Sequence, residues 1–213
     1  MKLVNDLWFP SDDIHMAKEY LDGHTQLDTL DMALTFCTKT RIAVDAGAHI
    51  GLFSLHMAQV FDQVLAFEPN PPTVECLREN TKNRPNILVY QLALSNCIRP
   101  IGIKLDEKHE GNTGGAYVDF SGETGYTTHT VELDHYDLPV LDLFKADVEG
   151  GELHALQGAV KTIDRCSPVI LVEEKHRLMA RQGVKADGVS KFLASLGYVQ
   201  ARRSRRDFVY VRS

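Results

Sequence analysis

Cysteine is scarce in this chain of 213 residues, and only one tryptophan occurs. The four cysteines, Cys37, Cys76, Cys97 and Cys166, are far apart and form no Cys-x-x-Cys pair. This spacing argues against a disulfide framework and favours reduced, structural thiols.

Long apolar runs are also missing. No stretch approaches the 18 apolar residues of a spanning helix, and Asp6 and Pro10 interrupt the N-terminus before a signal-peptide core could form. We therefore expect a cytoplasmic protein with no membrane partner. The net charge of −6, from 23 Lys+Arg and 29 Asp+Glu, argues against a chain built mainly to bind nucleic acid.

The composition is that of an ordinary globular domain, with 44% hydrophobic and 24% charged residues. A chain of this length can bury a core without a disulfide or metal, so we expect one domain over residues 1–213. From residue 41 onward, short apolar runs alternate with helical stretches. The predicted strands cover 41–46, 64–67, 87–94, 141–148 and 168–172, and the predicted helices cover 50–60, 71–83, 152–164 and 184–196.

This alternation predicts an α/β fold with a mostly parallel sheet and helices on both faces. Residues 198–212 predict a C-terminal antiparallel hairpin. Residues 1–40 are expected to form a helical N-terminal cover. Residues 97–133 carry five glycines between 111 and 125, which predicts an inserted hairpin or a mobile lid.

A basic run at residues 202–206 is predicted to lie at the turn of the terminal hairpin. It is either a solvated face or a pair of arginine forks for an anionic acceptor, such as a phosphate-linked sugar.

The turn after the first predicted strand has the sequence Asp-Ala-Gly-Ala-His-Ile-Gly over residues 45–51. Its Gly-x-x-x-Gly spacing differs from the Gly-x-Gly-x-x-Gly of dinucleotide sites. We expect Asp45 to receive a ligand ammonium group and Glu68, at the end of the second strand, to accept ribose hydroxyls. These charges suit a nucleoside with an amino-acid tail, such as S-adenosylmethionine. The alternative is a plain βα turn with Glu68 as a surface cap.

Five segments in order, 44–54, 67–71, 92–96, 144–152 and 156–159, resemble the FkbM family of S-adenosylmethionine-dependent O-methyltransferases. The block Asp-Val-Glu-Gly-Gly-Glu at 147–152 is the most diagnostic of them. The resemblance implies a class I, Rossmann-like methyltransferase fold. His49 departs from the usual asparagine and makes the charge there depend on pH. The expected cofactor-binding residues are Asp45, Ala46, Gly47, His49, Gly51, Glu68, Pro69, Ser95 and Asp147.

A hydroxyl acceptor needs a group that removes its proton. His176 is the first candidate base and His154 the second, while the resemblance assigns Asp147 and Glu149 to the methionine and acceptor side of the pocket. In an open alternative, Asp147 and Glu149 join Glu173 to hold Mg²⁺, which prefers oxygen ligands.

The sequence thus predicts an O-methyltransferase acting on a hydroxyl of a small-molecule or carbohydrate acceptor, with S-adenosylhomocysteine as by-product. Two alternatives stay open. One is an NAD(P)-dependent oxidoreductase, which the glycine spacing and Asp45 disfavour. The other is a catalytically idle, cofactor-binding partner subunit. Assembly as a homo-oligomer is also open.

Overall fold

The computed structural model describes residues 1–105, 116–119 and 126–213. Its strands are β1 (Lys2–Val4), β2 (Leu7–Phe9), β3 (Ile42–Ala46), β4 (Gln63–Phe67), β5 (Ile87–Tyr90), β6 (Ala93–Leu94), β7 (Pro100–Leu105), β8 (Ala116–Asp119), β9 (Thr127–Val131), β10 (Leu143–Ala146), β11 (Val169–Glu173), β12 (Tyr198–Ser204) and β13 (Asp207–Arg212). Its α-helices are α1 (His15–Leu21), α2 (Leu27–Leu34), α3 (Leu52–Met57), α4 (Pro71–Thr81), α5 (Glu152–Gln157), α6 (Val160–Cys166), α7 (His176–Arg181) and α8 (Gly188–Ser195).

A seven-stranded sheet in the order β12-β13-β11-β10-β3-β4-β5 forms the centre of the fold. The strands β11, β10, β3, β4 and β5 are parallel neighbours, and β13 pairs antiparallel with both β11 and β12. The predicted parallel sheet and C-terminal hairpin are therefore confirmed. The strand order reverses between β3 and β10, and ligands of open α/β sheets bind beside such a reversal, at the carboxyl ends of the strands.

Helices cover both faces of this sheet because its inner strands are apolar on both sides. On β3, Val44 and Ala46 belong to one buried cluster, together with residues of α5, α6 and α8. Ala43 belongs to a second cluster, together with residues of α2, α3 and α4. Alternate side chains of one strand thus build the two cores.

Two predicted elements are interrupted. The helix expected over 152–164 breaks into α5 and α6 at Gly158, where an added Cβ would lie 1.9 Å from the Ser95 carbonyl oxygen. The strand expected over 87–94 splits into β5 and β6. Ala93 and Leu94 leave the central sheet and pair with β9.

The expectation of a mainly helical N-terminal cover over residues 1–40 is wrong for its first part. Residues 2–9 form the antiparallel hairpin β1–β2, whose turn contains Asn5 at φ 52°, a conformation that asparagine tolerates. The Asn80 side chain of α4 holds this hairpin: it accepts the Trp8 N–H at 2.7 Å and donates to the Trp8 carbonyl at 3.0 Å. The helical part is limited to α1 and α2.

Residues 97–133 contribute β7, β8 and β9 to a separate four-stranded sheet in the order β6-β9-β7-β8. The five glycines on which the lid prediction rests lie outside the described residues, so the lid stays a prediction. In the parts of the chain given above, no helix has the length and apolar character needed to cross a membrane.

Candidate active site

A cavity of about 380 Å³ opens at the carboxyl edge of the central sheet. Its wall is formed by the segments that follow β3, β4, β10 and β11, together with the β12–β13 turn and residues of α1 and α2. The topological switch between β3 and β10 thus coincides with the cavity, as expected for a fold of this kind.

Gly47 allows two loops of this wall to touch. It has φ 77°, and a Cβ added there would lie 1.8 Å from the Asp147 carbonyl oxygen. The N–H groups of Gly47 and Ala48 both donate to the Phe67 carbonyl, at 2.9 and 3.0 Å. The glycine turn is therefore held between the ends of β4 and β10, where a side chain would force them apart.

Glu68 lies on the cavity wall with only 7% of its surface exposed. One carboxylate oxygen accepts the His49 N–H at 3.0 Å, and the other accepts the Asn70 N–H at 2.9 Å. Burial raises the pKa of Glu68, against the opposing effects of His49 and these donors. Both oxygens are thus fixed by the backbone and keep further acceptor capacity for a ligand.

The expectation that Asp45 receives a ligand ammonium group is corrected by the structure. Asp45 is fully buried, its Oδ2 accepts the Ser54 hydroxyl at 2.7 Å, and its Oδ1 lies 2.9 Å from Lys145 Nζ. Lys145 also donates to the Gly47 carbonyl at 2.8 Å. The ammonium group of Lys145 therefore pairs with Asp45 in the way that was expected of the ligand's ammonium group.

Lys145 was not predicted from the sequence to be a functional residue. It pairs in register with Asp45 across β3 and β10, and it lines the cavity. A lysine inside an otherwise apolar strand was the available signal, since lysine is almost never fully buried without a partner.

The other predicted cofactor residues divide into two groups. Ala46 and Gly51, like Asp45, do not line the cavity: Ala46 lies inside β3, and Gly51 packs against Leu77 at the start of α3. The residues that do line it are Gly47, His49, Glu68, Pro69, Ser95 and Asp147.

Three carboxylates converge on Lys175, which follows β11. Its Nζ lies 2.5 Å from Glu149 Oε1, 3.0 Å from Glu173 Oε2 and 3.3 Å from Asp147 Oδ1. All four side chains line the cavity. These are the carboxylates considered as Mg²⁺ ligands, but an ammonium group occupies the position between them. Within the described residues no cluster suited to a metal occurs, so this donor set does not fit Mg²⁺.

The three carboxyl groups of this cluster differ in their pKa values. Burial and the Asp147 charge raise the pKa of Glu149 to about 7 and that of Glu173 to about 8, although Lys175 opposes both shifts. Burial also acts to raise the pKa of Asp147, but Lys175 and Lys145 outweigh it and bring this pKa to about 2. Asp147 is thus ionised at neutral pH, Glu173 is mostly protonated, and Glu149 titrates near neutrality.

Glu149 also has a strained backbone. Its φ is 54°, in the left-handed region that residues other than glycine rarely adopt. The buried Glu152 braces this loop, since its Oε1 accepts the N–H groups of Val148 at 3.1 Å and Gly150 at 2.9 Å. The surroundings of this loop thus hold Glu149 in a conformation that few residues other than glycine adopt.

The structure corrects the choice of His176 as the base. This residue begins α7, its side chain is 58% exposed, and it is not part of the cavity wall. Its nearest acidic partner is Glu174, at 3.6 Å from Nε2. His154, the second candidate, does line the cavity, and burial and Arg99 lower its pKa.

The N-terminal segment supplies part of the wall that the sequence analysis did not assign. His15, Tyr20 and His24 line the cavity. Asp13 is fully buried, accepts the Met16 N–H at 2.9 Å, and places Oδ2 3.6 Å from His49 Nε2. The N-terminal cover therefore packs directly on the glycine turn.

The basic run lies where the sequence predicts it, at the terminal hairpin. Arg205 and Arg206 form the turn between β12 and β13, and both line the cavity together with Ser204 and Asp207.

The chain is similar in sequence to several known proteins. The family described as "Methyltransferase FkbM domain" matches residues 45–199, well over half of the chain. "Hexuronic acid methyltransferase AglP" of Haloferax volcanii is 27% identical over 183 residues, which cover 81% of this chain and 70% of that protein. "Methyltransferase 1" of Beauveria bassiana is 27% identical over 141 residues, 54% of this chain and 57% of that one.

Two solved structures share the fold. The FkbM methyltransferase of Methylobacillus flagellatus superposes with a TM-score of 0.51 at 18% identity, covering 81% of this chain but only 43% of that one. Magnesium protoporphyrin IX methyltransferase of Synechocystis, solved with bound S-adenosylmethionine, gives a TM-score of 0.53 at 13% identity, covering 94% of this chain and 85% of that one. These likenesses establish the class I methyltransferase fold.

Proposed function

The chain belongs to the FkbM methyltransferase family, and we propose that it transfers the methyl group of S-adenosylmethionine to a hydroxyl of a carbohydrate. The observation that carries this proposal is Glu68, a buried carboxylate fixed by two backbone N–H groups on the cavity wall beside the glycine turn. A carboxylate at the end of the second parallel strand is suited to accept the hydroxyls of a ribose.

The residues present fit this cofactor. Gly47 leaves the turn without a side chain at the point where the loops after β3 and β10 meet. Glu68 would hold the ribose, and Pro69 and Ser95 line the same wall. His49 and the ionised Asp147 would face the amino-acid part. When bound, the cofactor supplies an electrophilic methyl group on a sulfonium.

The chain's own task is then to align the acceptor and to remove its proton. We assign the proton acceptor as Glu149, because it lines the cavity and its pKa of about 7 lies near working pH. Lys175, in contact with Glu149, Glu173 and Asp147, keeps these buried carboxylates from repelling one another.

A sugar acceptor is supported by the relative from Haloferax volcanii, whose name specifies a hexuronic acid as its substrate. The test is transfer of a labelled methyl group to a panel of sugars, read by mass spectrometry. Thermal shifts with S-adenosylhomocysteine and with NADH form the companion measurement, since the right ligand stabilises the fold by mass action.

Labelled product on a sugar oxygen supports the proposal. Stabilisation by NADH but not by S-adenosylhomocysteine would point to the oxidoreductase alternative. Stabilisation by S-adenosylhomocysteine without transfer to any acceptor would point to an idle partner subunit.

Replacing Glu68 tests the cofactor assignment separately. Glu68→Gln should weaken S-adenosylhomocysteine binding by about 1–3 kcal/mol, because a charge-assisted hydrogen bond is lost and the amide cannot satisfy both backbone donors. Calorimetry measures the difference. The matched control is Glu75→Gln on the exposed side of α4, which should bind as the wild type does. Equal affinity in both variants would remove Glu68 from the site.

A further inference from the structure

Arg205 and Arg206 stand out among the cationic residues of the cavity wall. Lys145 is held by Asp45, and Lys175 by its three carboxylates. Arg205 and Arg206 are exposed, and neither guanidinium has an ion pair or hydrogen-bond partner anywhere in the described chain. The two charges therefore remain available to a ligand.

The turn that carries them is fixed close to the carboxylate cluster. The Arg206 carbonyl accepts the Glu174 N–H at 2.8 Å, and Asp207 pairs in register with Glu173. The turn thus lies about one strand spacing, roughly 5 Å, from the strand end that bears Glu173.

A neighbouring arginine stiffens the same turn. Arg203 Nε donates to the Arg205 carbonyl at 3.1 Å, and its guanidinium lies 4.8 Å from the centre of the Phe208 ring. Arg205 itself has φ 53°. The backbone of the turn is therefore anchored from both strands, while Arg205 and Arg206 stay exposed and line the cavity.

Beside the turn, the positive charge of Lys175 is already held by Asp147, Glu149 and Glu173. Asp207 adds a further carboxyl group to this part of the wall. A negative group on the acceptor is therefore attracted to the turn rather than to the cluster. A guanidinium offers two parallel N–H donors that match a carboxylate or a phosphate.

We propose that Arg205 and Arg206 bind an anionic group of the acceptor, so that the substrate is an acidic sugar held by its charge beside the Glu149 cluster. This inference rests on the proposed function and narrows its acceptor class. The anion is the carboxylate of a uronic acid or the phosphate of a sugar phosphate.

The test measures acceptor binding directly, by calorimetry on protein saturated with S-adenosylhomocysteine. The probes are D-glucuronate, D-glucose 6-phosphate and D-glucose, which differ only at position 6. We expect at least one anionic probe to bind about tenfold or more tightly than glucose, and its identity separates carboxylate from phosphate. The double variant R205Q/R206Q should lose this preference and leave glucose binding unchanged.

Arg202→Gln is the matched control, since Arg202 is an exposed arginine of the same run that does not line the cavity. It should retain the wild-type preference. Equal wild-type affinity for all three probes, no measurable binding of either anion, or a double variant that binds like Arg202→Gln would each overturn the inference. Selective binding of an anion without methyl transfer would support the inference and contradict the proposed function, so the two failures are distinguishable.

Discussion

Glu149→Gln should lower the turnover of the acceptor by about 10²–10⁴, while its affinity for S-adenosylhomocysteine stays within a few-fold of the wild type. A general base acts on the transition state alone, so its loss lowers kcat rather than cofactor binding. Glutamine keeps the size of the side chain but cannot accept the proton. Initial rates at saturating cofactor, with calorimetry on the same preparations, measure both quantities.

The pH dependence gives a second readout of the same assignment. The base works in its ionised form, and the pKa of Glu149 is raised to about 7. The wild-type rate should therefore rise with pH through about 7 and then level off. The residual rate of Glu149→Gln should lack this rise.

Two further variants separate the base from its neighbours. Glu173, with a pKa of about 8, carries a proton at neutral pH, so Glu173→Gln exchanges one neutral group for another and should keep most of the activity. His176→Gln should be close to wild type, because His176 lies outside the cavity wall. A large loss in His176→Gln, with Glu149→Gln remaining active, would reverse the assignment.

The strands of the central sheet were predictable because their signal is local. β3, β4, β10 and β11 are short apolar runs, and a strand buried on both faces needs no other pattern. The hairpin β12–β13 was predictable as two short strands around a tight turn. The hairpin β1–β2 was missed because strands of three residues are too short to show a period.

Contacts between elements explain most of the other errors. The interruption of the predicted helix at Gly158 depends on where the Ser95 carbonyl lies. The ion pair of Asp45 with Lys145 depends on the strand register that places the two residues side by side. Neither is a property of a local segment. His176 follows the end of a predicted strand, but α7 begins at this residue and leaves its side chain largely exposed.

The position of Lys175 in the cavity also depends on contacts between elements that are distant in the sequence. The sequence grouped the three carboxylates as possible ligands of one Mg²⁺ ion. It could not show that Lys175 would lie among them, because that depends on the path of the chain after β11. With the lysine in place, a cluster interpreted as a metal site becomes a set of carboxyl groups with separated pKa values.

Gly47→Ala should lower the free energy of unfolding by about 2–5 kcal/mol and should abolish measurable binding of S-adenosylhomocysteine. Two costs add at this position. An L-residue at φ 77° is strained, and the new Cβ would lie 1.8 Å from the Asp147 carbonyl oxygen. This atom belongs to the backbone, so the collision can be relieved only by moving the loop after β10 or the glycine turn itself. Chemical denaturation and calorimetry measure the two effects.

Gly23→Ala separates the two costs, because Gly23 has the same φ of 77° but nothing within 4 Å of an added Cβ. In this control the free energy of unfolding should fall only by the cost of the backbone conformation, about 1 kcal/mol. Its binding of S-adenosylhomocysteine should be normal. The difference between the variants is then the cost of separating two loops that must touch for the wall to close. If Gly47→Ala were no less stable than Gly23→Ala and bound S-adenosylhomocysteine equally well, the contact between the turn and Asp147 would not be needed for the site.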